Sequence, residues 1–172
     1  MCQSLVEQLS TQYLGQIVQI LINLEHFETA CAELEQLLAA ARSSSSVGGA
    51  VTLSATEQFR NHKKTAEKRI FELVNSKIDD LIDTAEYDWT AQYGTSETSS
   101  YMQTLTQYLS SIMTTVLLGL PTEIKELIYF DALSHAAEKI LSLPLSSDVR
   151  RINPNGVSAL GNDVKFLSLI HI

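Results

Sequence analysis

Apolar residues return every three or four positions along most of this chain, and no run keeps the two-residue period of a strand. From residue 4 to 42 the helical spacing is carried by Leu5, Leu9, Tyr13, Ile17, Ile20, Leu21, Leu24, Phe27, Cys31, Leu34, Leu37 and Leu38. Asn23 leaves two readings open: one long helix, or a break with Leu24-Glu25-His26 opening a second. Ser43-Ser44-Ser45-Ser46-Val47-Gly48-Gly49 reads as a flexible loop. A long helix is predicted from Ser54 to about Glu86, with Ser54 and Glu57 as a capping box and Phe59, Ala66, Ile70, Leu73, Val74, Leu81 and Ala85 as its apolar stripe. Tyr87 to Thr98 reads as a connector around Gly94. The next helix is expected from Ser99 to Leu118, with Tyr101, Leu105, Tyr108, Leu109, Ile112, Met113, Val116 and Leu117 on one side and Gly119 ending it. Pro121 sits where a helix can start without its missing N–H, and that helix is expected to reach Leu143, before Pro144. A short helix over Ser147 to Ile152 and a last one from Pro154, capped by Asn153, complete the pattern.

The fold class expected is all-α, an elongated antiparallel helical bundle. Two parts are expected: residues 1–96, with two or three long helices, and residues 97–172. Glycine and proline number 7 and 3 in 172 residues, too few for a low-complexity or collagen-like chain. Hydrophobic residues at 45% and charged residues at 19% set it apart from disordered chains. Lys plus Arg is 12 against 20 for Asp plus Glu, a net charge of −8, which disfavours nucleic acid as a partner. Cys2 and Cys31 make no disulfide or metal pattern, so reduced, cytosolic thiols are the simple reading. The longest uncharged run, 25 residues from Thr98 to Thr122, is too rich in Ser, Thr and Gln to span a bilayer, and no signal peptide is evident.

Charge is split along the long helix. Arg60, Lys63, Lys64, Lys68 and Arg69 crowd its first half, and Asp79, Asp80, Asp83, Glu86 and Asp88 follow. A solvated face is the plainer reading and a docking strip for an oppositely charged partner the sharper one. Catalytic constellations do not emerge. No histidine has Glu three residues before it, and no His-Glu-x-x-His or phosphate loop is present. Asp131, Ser134 and His135 sit on one helix, where a polar face explains them better than a triad. Asp79 and Asp80 diverge by about 100° around their helix and so cannot flank one substrate atom. Tyr87 and Trp89 read as a cap on one end of the bundle. In the helix after Pro121, Phe130, Leu133, Ala136, Ala137, Ile140 and Leu141 read as the core stripe. Ile124, Leu127 and Ile128 lie away from it, and Ile124, Ile128, Asp131 and His135 fall in one line. Ile124, Leu127, Ile128, Asp131 and His135 are therefore the candidate partner-binding residues, unless a second neighbouring helix packs on them.

Several stretches together resemble the C-terminal region of the exocyst subunit Sec-fifteen, of fungal type. They are Asn23-Leu24-Glu25-His26-Phe27-Glu28-Thr29-Ala30-Cys31, Glu72-Leu73-Val74-Asn75-Ser76-Lys77-Ile78-Asp79-Asp80-Leu81-Ile82, Ala85-Glu86-Tyr87-Asp88-Trp89, and Lys125-Glu126-Leu127-Ile128-Tyr129-Phe130-Asp131-Ala132-Leu133-Ser134-His135. Val149-Arg150-Arg151-Ile152-Asn153-Pro154-Asn155 and Asn162-Asp163-Val164 follow in the same order. The resemblance covers about residues 5 to 167, while residues 168–172 depart from it and are expected to be non-native. The family's proteins are much longer, so a fragment is expected. The resemblance implies stacked helical bundles in a complex that tethers secretory vesicles to the plasma membrane. It implies binding of a GTP-loaded Rab-family GTPase and of other exocyst subunits of Sec-ten type, with no enzyme activity and no cofactor. It also implies a cytoplasmic protein, peripheral at vesicles and at sites of exocytosis. The alternative within the same family is a purely structural segment that packs against other subunits without binding a Rab.

Overall fold

In the computed structural model, residues 13–43 and 51–169 are described. The start of the first predicted helix and most of the serine-glycine loop lie outside them. Five α-helices are found among the described residues: α1 (Leu14–Ser43), α2 (Ser54–Ile82), α3 (Ser100–Ser111), α4 (Thr122–Ser142) and α5 (Pro154–Ser168). The same residues contain no strand, so the all-α expectation holds. Asn23 does not break α1; its side-chain oxygen accepts from Gln19 Nε2 at 3.0 Å, one turn back on the same helix.

The chain divides into two compact units, one up to Ile70 and one from Phe71 onward. In the first, α1 and the start of α2 form an antiparallel pair. Lys63 Nζ lies 2.8 Å from Glu25 Oε2 and 2.9 Å from Glu28 Oε2, and Arg60 Nε lies 2.8 Å from Glu28 Oε1. Phe27 stacks on Phe59 with ring centroids 5.3 Å apart. The partner numbers rise on one helix as they fall on the other, as antiparallel pairing requires. Ile17, Val18, Leu21, Leu24, Ala66 and Ile70 are buried. The later part of the predicted α1 stripe is not, since Phe27, Leu34, Leu37 and Leu38 are exposed.

The predicted capping box at the start of α2 takes another form. The helix begins at Ser54 itself, one residue too early for Ser54 to cap it. Glu35 of α1 does the work assigned to Glu57: its Oε1 accepts from the Leu53 N–H at 2.6 Å and from the Thr56 hydroxyl at 2.7 Å. The Leu53 backbone bond first, then the Thr56 hydroxyl, hold the Glu35 carboxyl below its ordinary value.

In the second unit α2 stops at Ile82, four residues short of the predicted end. Its last turn has no basic residue to meet the negative end of the helix dipole, and Asp79 and Asp80 oppose it. The chain tightens there: Thr84 N–H bonds Leu81 O at 3.2 Å and Ala85 N–H bonds Ile82 O at 2.8 Å. The α3 helix passes into a wider turn at Ile112–Val116, closed by the Leu117 N–H on Ile112 O at 2.9 Å, five residues back. Of the predicted pair Val116 and Leu117, that turn leaves Leu117 fully buried and Val116 half-buried. Pro121 precedes α4 as expected, and Leu143–Leu145 make a short 3₁₀ turn that includes Pro144. The predicted helix over Ser147 to Ile152 does not form. A turn at Ser146, where Val149 N–H meets Ser146 O at 3.0 Å, leads into non-helical chain that delivers the Asn153 N–H to Trp89 O at 2.8 Å. Asn153 caps α5 as predicted, its Oδ1 accepting from Gly156 N–H at 2.9 Å, with Pro154 in the first turn.

The connector between α2 and α3 is held against α5 by side-chain amides. Asn153 Nδ2 and Asn155 Nδ2 donate to Ala91 O at 2.8 and 3.1 Å, and Asn162 Nδ2 donates to Thr95 O at 2.6 Å. Gly156 allows this approach, because a Cβ there would lie 2.7 Å from both Cα and O of Trp89. Asp163, 1% exposed, accepts from the Ser99 N–H at 2.8 Å, the Ser99 hydroxyl at 2.6 Å and the Tyr87 hydroxyl. Tyr101 donates in turn to the Tyr87 oxygen at 2.7 Å. Burial, then the bond to Asp163, drives the Tyr87 phenol far above its ordinary value.

Three substitutions test this joint. Asp163→Ala takes the acceptor from three half-buried donors and should lower stability in urea unfolding by roughly 3 kcal/mol, whereas Tyr87→Phe should cost about 1–2 kcal/mol. Gly156→Ala should cost about 1–3 kcal/mol by overpacking, and Trp89, the only tryptophan, should report it as a changed native emission spectrum.

Candidate partner-binding surface

The five candidate residues all lie on α4 or its first turns, and the structure sorts them by depth. Ile128 is 1% exposed and belongs to a buried row that repeats every four residues: Ile128, Ala132, Ala136, Ile140. Ile124 is half-buried beside that row. Leu127, by contrast, is 63% exposed. The stripe predicted as core is largely the outer one, with Phe130 and Leu141 each 64% exposed and Ala137 exposed as well. Only Ala136 and Ile140 of that stripe are buried and Leu133 is half-buried. The sequence reading weighted the larger residues as core. The structure instead packs α4 through two alanines, which bring a helix backbone closer to its neighbours than phenylalanine or leucine would.

Asp131 and His135 lie along the margin of the packed face and meet polar partners on the end of α2. Asn75 Nδ2 donates to Asp131 Oδ2 at 2.8 Å. His135 Nε2 lies 2.7 Å from Asp79 Oδ1, and Lys139 Nζ lies 3.1 Å from the same oxygen. Asn75 and Asp79 are one helical turn apart, as are Asp131, His135 and Lys139, so the two helices run side by side in the same direction as a polar ladder. Asp131 and His135 are thus each engaged by α2, and Ser134 is exposed; the three do not form a triad. The split charge of α2 is used in the same way, with Arg60 and Lys63 paired to α1 and Asp79 paired to α4.

Elsewhere, Tyr87 packs against Trp89 at 5.0 Å and edge-on to Tyr101 at 6.0 Å between ring centroids. The phenol of Tyr87 points to Asp163, so this cluster is a structural joint rather than a ligand cage. Sequence reasoning missed the Tyr87–Asp163 pair, 76 residues apart. Its only signal was that both lie in stretches resembling the same family. Among the described residues, no three His, Cys, Asp or Glu side chains group to hold a metal ion, and no helix is long and apolar enough to cross a membrane.

Burial pushes the Asp79 carboxyl up, but the hydrogen bonds from His135 and Lys139 outweigh it and hold it below its ordinary value. A lowered folded-state value means that ionised Asp79 stabilises the fold above the usual carboxylate range near pH 4, and that this contribution fades as pH falls through the folded value. Asp79→Asn should therefore be less stable than the parent by about 0.5–1 kcal/mol at pH 7, the size of a solvent-screened pair. The two proteins should converge towards pH 2 in thermal unfolding; a gap that persists there would trace to packing.

The family model described as "Exocyst complex subunit Sec15 C-terminal" matches residues 1–171. The fission yeast (Schizosaccharomyces pombe) exocyst complex component sec15 is 28% identical over 96% of this chain and 23% of its own length. Human exocyst complex component 6 is 30% identical over 88% of this chain and 19% of its own length. The budding yeast (Saccharomyces cerevisiae) component SEC15 is 25% identical over 90% of this chain and 17% of its own length. The chain thus spans about a fifth of the length of these curated relatives. No solved structure matches it. With the family model matching residues 1–171 and an all-helical structure to go with it, the chain belongs to the family of exocyst Sec-fifteen subunits, in their C-terminal region.

Proposed function

We propose that this chain acts as the C-terminal part of an exocyst subunit, tethering secretory vesicles to the plasma membrane by recognising the GTP-bound form of a Rab-family GTPase and by binding other exocyst subunits. The observation that carries the reading is the family match across residues 1–171. The resemblance within that family implies the GTPase, and the exposed Leu127 offers an apolar contact for it. A GTPase reports its nucleotide through segments ordered by the γ-phosphate, so a surface that fits them only in that state binds GTP and GDP forms with different affinity. Of the five candidate residues, Leu127 and Asp131 are exposed to such a partner, with Ile124 and His135 partly so. Ile128 supports the helix from beneath. The protein so read is cytoplasmic and peripheral at vesicles and at sites of exocytosis, reaching membranes through other proteins.

The purely structural reading is favoured by one observation, the exposed Leu34, Leu37 and Leu38 on α1, which suit packing against another subunit. The two readings separate in a binding assay with purified Rab GTPases loaded with a non-hydrolysable GTP analogue or with GDP. Binding at least tenfold tighter in the GTP state, lost in Leu127→Asp with the helical circular dichroism unchanged, is the expected result. Equal affinity for both states, or none for either, leaves the structural reading. Ile128→Asp should lose helicity, since it places a charge in the core.

A further inference from the structure

The outer face of α4 has a pattern of its own. Leu127, Phe130, Ser134, Ala137 and Leu141 are spaced three, four, three and four residues apart, the repeat of a helix that offers a seam to another helix. All five are exposed, opposite the buried row of Ile128, Ala132, Ala136 and Ile140. At about 100° per residue the seam stays within an arc of about 80° over four turns. Its flanks carry one sign of charge. Glu123, Glu126 and Glu138 are exposed along it. The two lysines of α4 lie on the other side: Lys139 is on Asp79, and Lys125 is half-buried.

We propose that the outer face of α4 is a docking seam for a basic amphipathic helix of a partner protein, whose apolar a and d side chains seat on Leu127, Phe130 and Leu141 and whose Lys or Arg side chains meet the acidic flanks. Charge complementarity selects this occupant. A second copy of α4 would bring acidic flank against acidic flank, and an anionic lipid surface or a nucleic acid would be repelled by the same carboxylates. Ser134 and Ala137, small and near the middle of the seam, let the incoming helix approach closely. The seam shares Leu127 with the surface proposed for the GTPase, but it needs no nucleotide and its test variants lie at Phe130, Leu141, Glu126 and Glu138, so its outcome is read apart from the proposed function.

The test uses the full chain and three fluorescein-labelled synthetic peptides of about three heptads. One has Leu at a and d and Lys at e and g, the second has Glu in place of Lys, and the third has the first peptide's composition in scrambled order. Anisotropy titration should show the Lys peptide binding at least tenfold more tightly than the other two. Phe130→Ser with Leu141→Ser should weaken it at least tenfold at unchanged helicity, because both side chains are exposed. Glu126→Lys with Glu138→Lys should turn the preference towards the Glu peptide. No binding of the Lys peptide, equal binding of the scrambled one, or affinity untouched by the double Ser variant would overturn the proposal. Because no probe contains a GTP-binding domain, this result is read separately from the GTPase assay.

Discussion

Among the described residues, the second unit turns on one buried acidic side chain. Asp163 is taken almost wholly out of water, which is tolerable only if its oxygens are fully hydrogen-bonded. The Ser99 N–H and hydroxyl and the Tyr87 hydroxyl supply the bonds, and each comes from a different requirement of the fold. Ser99 is the residue just before α3, so the carboxylate also faces the positive end of that helix dipole. Tyr87 belongs to the connector. One carboxylate on α5 therefore fixes where α3 begins and where the connector runs. The asparagine bonds to Ala91 and Thr95 and the close approach of Gly156 to Trp89 extend the same seam along α5.

The α4 helix shows how a helix can be apolar on two faces without being interior. Its buried row is built from two alanines between two isoleucines. The bulkier Leu127, Phe130 and Leu141 are left facing outward. Between the two faces runs the polar ladder to α2, in which Asp131, His135 and Lys139 find partners spaced by one turn. The ladder fixes the register of α4 against α2, and with it the face that α4 turns to the outside.

Local signals in the sequence were reliable where one residue decides the outcome. Pro121 before α4 and Asn153 with Pro154 at the head of α5 act through their own backbone and side chains, so no distant residue was needed to read them. The end of α2 was misread because the apolar spacing continues to Ala85, while the acidic residues around it act against the helix dipole. Side-chain size is a poor guide to the buried face of α4, because close helix packing rewards small side chains. Asp131 and His135 looked like the polar continuation of an outer face, and only the presence of Asn75 and Asp79 opposite them shows otherwise. The joint between Tyr87 and Asp163 has no local signature, since it is made by residues from opposite ends of the second unit. Of the candidate surface, the helix was legible and its outward side was not.

The widened turn at the end of α3 bears on how chains of this kind can differ in length. Before it, the buried residues step from Leu105 to Leu109 to Ile112; after it they resume at Leu117 and Leu120. The five-residue step between Ile112 and Leu117 takes up one residue that a regular helix could not hold without turning its greasy side to water. A gene that gained or lost one codon here would leave both flanking segments seated as they are, so the turn is a natural place for single-residue gaps to fall when such sequences are aligned.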